Sequence, residues 1–255
     1  MSTDRAALYR LLAWASPAFP TGAFSYSHGL ETAVADGAVP DRPALEAWIS
    51  AVILHGSARV DADVLRDAWH AAAVGDAAAL AAANRCGIAY RATAELALES
   101  AQQGMAFRAA YEAAWAASPH PTPPPIAGEG MTVAGAANSL PAPQAGEGRG
   151  GGFEGNDVCH AAIFGAAAAR AGIALGDALI AYLAAFAANL TAAGLRLGVI
   201  GQTDGQRILA ALEPAIGAAA ATCINREPGD FGAATFALDL ASVAHETQYT
   251  RLFRS

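Results

Sequence analysis

Apolar residues recur along most of this chain at three- and four-residue intervals, the spacing of one helix face, and no run of alternating residues competes with that pattern. Leu8, Leu11, Leu12 and Ala15 mark a first helix. Pro17 and Pro20 stop it, because proline lacks the amide donor and clashes with the preceding turn. Asp41 is placed to cap a second helix, with Pro43 in its first turn and Leu45, Trp48, Ile49, Val52 and Ile53 on one face. The same periodicity predicts helices over 60–74, 77–90, 92–116, 159–171, 176–199 and 204–222. Thr203 and Gln206 have the spacing of a capping box, which predicts a short connection through Gly201-Gln202-Thr203-Asp204-Gly205-Gln206 into the last of these.

Two stretches depart from the pattern. From Ala178 to Leu195 the chain carries no charge, near the lower limit for a membrane span. Alanine adds little to insertion, however, and Asn189, Thr191 and Gly194 interrupt the run while Asp177 and Arg196 close it. Leu179, Leu183, Phe186 and Leu190 form a single stripe, so a central helix buried on several sides is expected instead, and no membrane partner. Residues 118–157 hold Pro119, Pro121, Pro123, Pro124, Pro125, Pro141 and Pro143, and repeat Ala127-Gly128-Glu129-Gly130 as Ala145-Gly146-Glu147-Gly148. Such a segment buries too little apolar surface to offset its ordering entropy, which predicts a disordered insertion that can be deleted over 120–155 without loss of function. The expected organisation is one helical domain built from 1–117 and 158–244, the insertion between them, and a tail at 245–255.

Composition sharpens the fold class. Over 255 residues, 54% are hydrophobic but only 7% aromatic, so the core is rich in alanine, the best helix former. An all-α, single globular domain of about eight to ten helices follows. The net charge of −8 leaves no basic stripe for nucleic acid. Cys86, Cys159 and Cys223 are odd in number and have no CxxC spacing, and Met1–Arg5 begins no apolar leader, so a reducing, cytoplasmic location is expected.

Candidate chemistry is sparse. His28 and Glu31 stand three apart and would share a helix face, but one histidine and one carboxylate do not complete a zinc or nickel site. Cys159-His160 and His245-Glu246 are adjacent pairs that point about 100° apart on a helix, poor for chelation. No GxSxG and no GxxxxGK[ST] occur. Trp14, Trp48, Trp69 and Trp115 all fall in helical patterns and are expected in the core. No metal site, cofactor or catalytic activity is expected; the alternative is a helical enzyme with an acid/base cluster of His28, Glu31 and His245.

The two ends of the chain contrast with its alanine-rich body. Ser16-Pro17-Ala18-Phe19-Pro20-Thr21-Gly22-Ala23-Phe24-Ser25-Tyr26-Ser27-His28-Gly29-Leu30-Glu31 and His245-Glu246-Thr247-Gln248-Tyr249-Thr250-Arg251-Leu252-Phe253-Arg254-Ser255 are dense in aromatic, hydroxyl and Gly/Pro residues. With Gly201-Gln202-Thr203-Asp204-Gly205-Gln206-Arg207, they resemble the F-type urease accessory proteins, the UreF family, over nearly the whole chain outside 118–157. The resemblance implies an all-helical, non-enzymatic homodimer. It also implies partners: the D- or H-type urease accessory protein, the G-type nickel-binding GTPase and, through that complex, the urease apoprotein. Carried over by position, Tyr249, Arg251, Leu252, Phe253, Arg254 and Ser255 resemble the part that docks the D/H-type partner. In the N-terminal motif, Pro17, Pro20, Gly22 and Gly29 are expected to set a turn. Tyr26, Ser27, His28 and Glu31, with Gln202, Asp204 and Arg207, are the candidates for a surface facing the GTPase or a second copy, Arg207 being expected in a helix-start salt bridge.

Overall fold

The computed structural model describes residues 3–116, 157–227 and 230–255, and among these it is helical with no strand. The elements are α1 (Arg5–Trp14), a 3-10 turn (Ala23–Ser25), α2 (Leu30–Ala35), α3 (Arg42–His55), α4 (Ser57–Val74), α5 (Ala77–Ala89), α6 (Ala94–Ala114), α7 (His160–Arg170), α8 (Leu175–Arg196), α9 (Gln202–Ile224) and α10 (Phe236–His245). The expected insertion lies outside the described residues except for Asp157.

Helix starts follow local chemistry. The side chains of Asp4, Asp41, Asp76 and Thr93 each accept from the amide three residues on, satisfying a donor that the first turn leaves unpaired. The capping box does not form at α9. Gly201 is the cap, in an extended conformation, so the helix begins at Gln202 and Thr203 lies inside it.

The core is organised on α7, with α4 alongside it and α5, α6 and α8 around it. Every residue from Ala161 to Ala168 is buried. Small side chains allow that envelopment: a Cβ on Gly165 would lie 2.3 Å from the Leu65 carbonyl oxygen of α4. The central position expected for 178–195 therefore belongs to α7. Helix α8 buries Leu179, Tyr182, Leu183 and Leu190 on one side but leaves Ile180 half-exposed on the other. Alanine, equally at home in core and solvent, could not mark the difference. Both α8 and α9 are long and apolar enough to cross a membrane by length and composition.

Aromatic residues close the α1–α6 side. Trp14 packs edge-on against Phe107, Tyr111 and Trp115, with Trp14 in the core and Trp48, Trp69 and Trp115 packed against it. Beneath α8, Arg91 and Asp61 pair at 2.5 Å with almost no exposure, and the Tyr182 hydroxyl donates to the same carboxylate at 3.1 Å. Two helices escaped the sequence pattern: α2, which is short, and α10, which leaves Phe236, Leu240 and Val243 exposed.

Candidate docking site at the joined ends of the chain

Gly29 starts the site. Its φ of +75° is left-handed, and a Cβ there would stand 2.9 Å from the Ser242 amide nitrogen of α10, so glycine serves both the turn and the close approach. His28, before it, is also left-handed at φ 60°, the one non-glycine residue so placed among the described residues. Its conformation is over-determined from outside: Nδ1 lies 3.1 Å from Glu99 and Nε2 lies 2.5 Å from the Ser57 hydroxyl. His28 and Glu31 consequently do not share a helix face, because α2 begins only after the turn.

Glu31 instead receives the tail. Its two oxygens accept from the amides of Leu252 at 2.6 Å and Phe253 at 2.9 Å, and His245 Nε2 stands 3.2 Å away. The other His245 nitrogen lies 2.6 Å from Glu95, which also pairs with Arg251 at 2.5 Å. Further along, the Ser27 amide and hydroxyl both donate to the Ser255 backbone oxygen, at 2.6 and 2.5 Å. The Ser255 hydroxyl donates to Glu99 at 2.8 Å, and the Arg254 amide to the Ser25 carbonyl at 2.8 Å. Gln102 accepts from both the Tyr26 hydroxyl and the Arg254 guanidinium. Phe253 is buried, with the Arg196 guanidinium 4.1 Å over its ring. The two unusual ends of the sequence thus meet on one polar stripe of α6, formed by Glu95, Glu99 and Gln102.

Tyr26, Ser27, His28 and Glu31, expected at the surface, are all buried. Ser27 and Glu31 bond the chain's own tail directly, while Tyr26 and His28 bond Gln102 and Glu99, which in turn hold Arg254 and Ser255. Phe253 and Ser255 of that tail are buried with them, whereas Tyr249, Arg251, Leu252 and Arg254 face solvent. Beside these, Phe236 (77% exposed), Leu240 (51%) and Val243 (50%) line the outer face of α10 at i, i+4 and i+7. Gln202 and Arg207 are exposed and Asp204 half-buried at the start of α9, where Arg207 pairs with Asp204 at 2.9 Å as expected and Arg42 approaches Asp204 at 3.9 Å.

A cavity of about 180 Å³ between α1, α6, α7 and α8 is lined in part by His28, Asp61, Arg91, Glu99, His160 and Tyr182. Burial drives the His160 imidazole down to about 4, so it is neutral at pH 7. Burial alone would raise the Glu99 carboxyl, but the His28 charge, its hydrogen bond and the Ser255 hydroxyl outweigh that and hold it low. The enzyme alternative needs His28, Glu31 and His245 around one pocket. His28 lines the cavity; Glu31 and His245 do not, being engaged with the tail. Ser57, His28 and Glu99 form a hydroxyl–imidazole–carboxylate line, of which His28 and Glu99, but not Ser57, line the cavity. Among the described residues no group of three or more His, Cys, Asp or Glu is arranged to hold a metal ion.

Sequence reasoning missed Glu95, Glu99, Gln102, Arg196 and the α10 face. The acids and amides at 95, 99, 102 and 103 were visible as a polar stripe on an otherwise alanine-rich helix, but nothing local said what they receive.

Fold and site together define an all-helical protein whose ends are locked into one another beside an exposed apolar helix. The UreF family model matches residues 39–213. The chain belongs to the UreF family of urease accessory proteins. It is 43% identical over 254 residues to the urease accessory protein UreF of Granulibacter bethesdensis, covering 100% of this chain and 96% of the relative. It is 42% identical to those of Rhodopseudomonas palustris strain BisB5 (98% and 92% covered) and Azorhizobium caulinodans (96% and 94%). The bounds of the family match enclose 118–157, where the resemblance is expected to lapse.

Proposed function

We propose that this chain is a non-catalytic adaptor in urease maturation, holding the D- or H-type accessory protein and the G-type nickel-binding GTPase together so that GTP hydrolysis is coupled to nickel delivery to the urease apoprotein. The observation that carries this reading is the state of the tail: its backbone is fixed by Glu31, Ser27 and Ser25, while Arg251, Leu252 and Arg254 remain outward. A docking surface organised in advance loses little conformational entropy on binding. Leu252 and the α10 residues Phe236, Leu240 and Val243 supply apolar anchors, and Arg251 and Arg254 supply planar charged contacts for a D/H-type partner. Ser27 and Glu31 then act from beneath by holding the tail, and Tyr26 and His28 by bonding Gln102 and Glu99, which hold Arg254 and Ser255. Gln202, Asp204 and Arg207 offer a second polar surface for the GTPase or for a second copy of the chain in a homodimer. The adaptor works in the cytoplasm, as a soluble protein.

Capture of the D/H-type protein by the full chain and by a version ending at His245 tests the tail directly. The shorter chain is expected to capture little; equal capture would remove the tail from the mechanism. Because truncation also takes two donors from Glu31, Arg254→Ala is the milder partner experiment, and it should weaken binding by about 1–3 kcal/mol. A host lacking this chain should fail to activate urease, and full activation there would refute the assignment.

A further inference from the structure

The connection from α9 to α10 is pinned to the junction of α3 and α4. Arg59, in the first turn of α4, donates to the carbonyls of Asp230 (2.8 Å) and Gly232 and pairs with the Asp230 carboxylate at 2.9 Å. One turn of chain away, the His55 carbonyl accepts from the Ala234 amide at 2.8 Å. Tyr90 meets Phe231 edge-on at 4.6 Å. Arg226, only 7% exposed, bonds Asp63 at 2.5 Å and approaches Asp230 at 3.8 Å. By contrast α10 itself starts without a side-chain cap, and Phe236 projects into solvent. On its inner side the fixed polar points come later, at Ser242, bonded to Thr93 at 2.8 Å, and at His245. Leu238 and Ala241 rest against the core, so the direction of the first turns of α10 is set jointly by that packing and by what holds 230–234.

We propose that Arg59 is a positioning residue for partner docking: by gripping Asp230 and Gly232 it fixes the direction in which α10 leaves the core, and with it the alignment of Phe236, Leu240 and Val243. The proposal rests on the reading that this face docks the D/H-type protein. A guanidinium suits the task because its planar fork reaches two carbonyls and a carboxylate at once, whereas a lysine ammonium, a single point on a flexible stem, does not hold the same geometry. The Arg59 side chain is 16% exposed and spends its donors on its own chain, so it acts through α10 and not by touching a partner.

The test pairs amide hydrogen exchange with binding of the purified D/H-type accessory protein to the full chain. Arg59→Met keeps the apolar stem and removes the fork. It should speed exchange over residues 236–245 while α4 and α7 keep wild-type protection, and weaken partner binding by about tenfold. Arg59→Lys should restore only part of either. Wild-type exchange in α10, or wild-type affinity in Arg59→Met while Arg254→Ala still weakens binding, overturns the proposal and leaves the docking reading standing. Loss of effect in Arg254→Ala as well overturns the docking reading, and the proposal with it. Should Arg59→Met lose protection throughout, Asp230→Asn spares both carbonyl contacts; a smaller shift in the same two readouts is expected, and no shift in either counts against Arg59.

Discussion

Glu31 shows how one residue can tie two distant stretches of chain together. Its carboxylate accepts two tail amides and faces His245, and it is nearly buried, so replacing an acceptor oxygen by an amide leaves donors opposed in a site closed to water. Glu31→Gln is expected to destabilise the fold by about 2–4 kcal/mol. Limited trypsin digestion should then cut sooner after Arg251 and Arg254, because their backbone is released. Unchanged tail cleavage would mean that Ser27 and Ser25 suffice. Ser27, His28, Glu31 and the tail were conspicuous in the sequence by composition alone. That they grip one another was not, since more than two hundred positions separate the partners and no local pattern encodes so distant a pairing. His28 adds a second lesson: a polar residue read as a surface group is here turned inward by a left-handed backbone that only the neighbouring Gly29 hinted at.

Among the elements, close crossings rest on glycines that a sequence reading passes over. A Cβ on Gly104 of α6 would fall 1.8 Å from the Val158 carbonyl oxygen, a backbone atom that cannot swing aside, whereas Gly217 of α9 is exposed with nothing within 4 Å. Gly104→Ala should therefore cost about 3 kcal/mol or more, while Gly217→Ala should stabilise by about 0.5–1 kcal/mol; chemical denaturation of both variants, with unchanged slopes, gives the comparison. Similar values for the two would contradict the packing described. Most helices were legible, because a face of leucine, isoleucine and valine repeats in 42–55 and elsewhere regardless of context. Helix α10 was not, because Phe236, Leu240 and Val243 face solvent while Ser242 and His245 are buried beside Leu238 and Ala241, which blurs the pattern on which periodicity depends. For α7 and α8 the ranking failed for the reason that alanine contributes equally to buried and exposed faces.

For the molecule as a whole, acid sensitivity follows from His160. The folded chain keeps this imidazole neutral down to about 4, while the unfolded chain protonates it near 6.5, so between those values the unfolded state binds the extra proton. Stability should accordingly fall as pH is lowered through that window, by about 3 kcal/mol at most from this group. His160→Phe should flatten that fall in pH-dependent thermal denaturation; an unchanged slope would assign it elsewhere. Glu99, held below 4.5, adds its own loss only under that value. The surface proposed for partners is gathered at the tail, α10 and the start of α9. The most direct measurement is calorimetric titration of the D/H-type urease accessory protein into the full-length chain and into its Leu252→Ala/Arg254→Ala double variant, with circular dichroism to verify that both are folded. An adaptor gripped at its tail predicts a variant that keeps wild-type helicity and binds at least tenfold more weakly. Equal affinity in two equally folded proteins would contradict it.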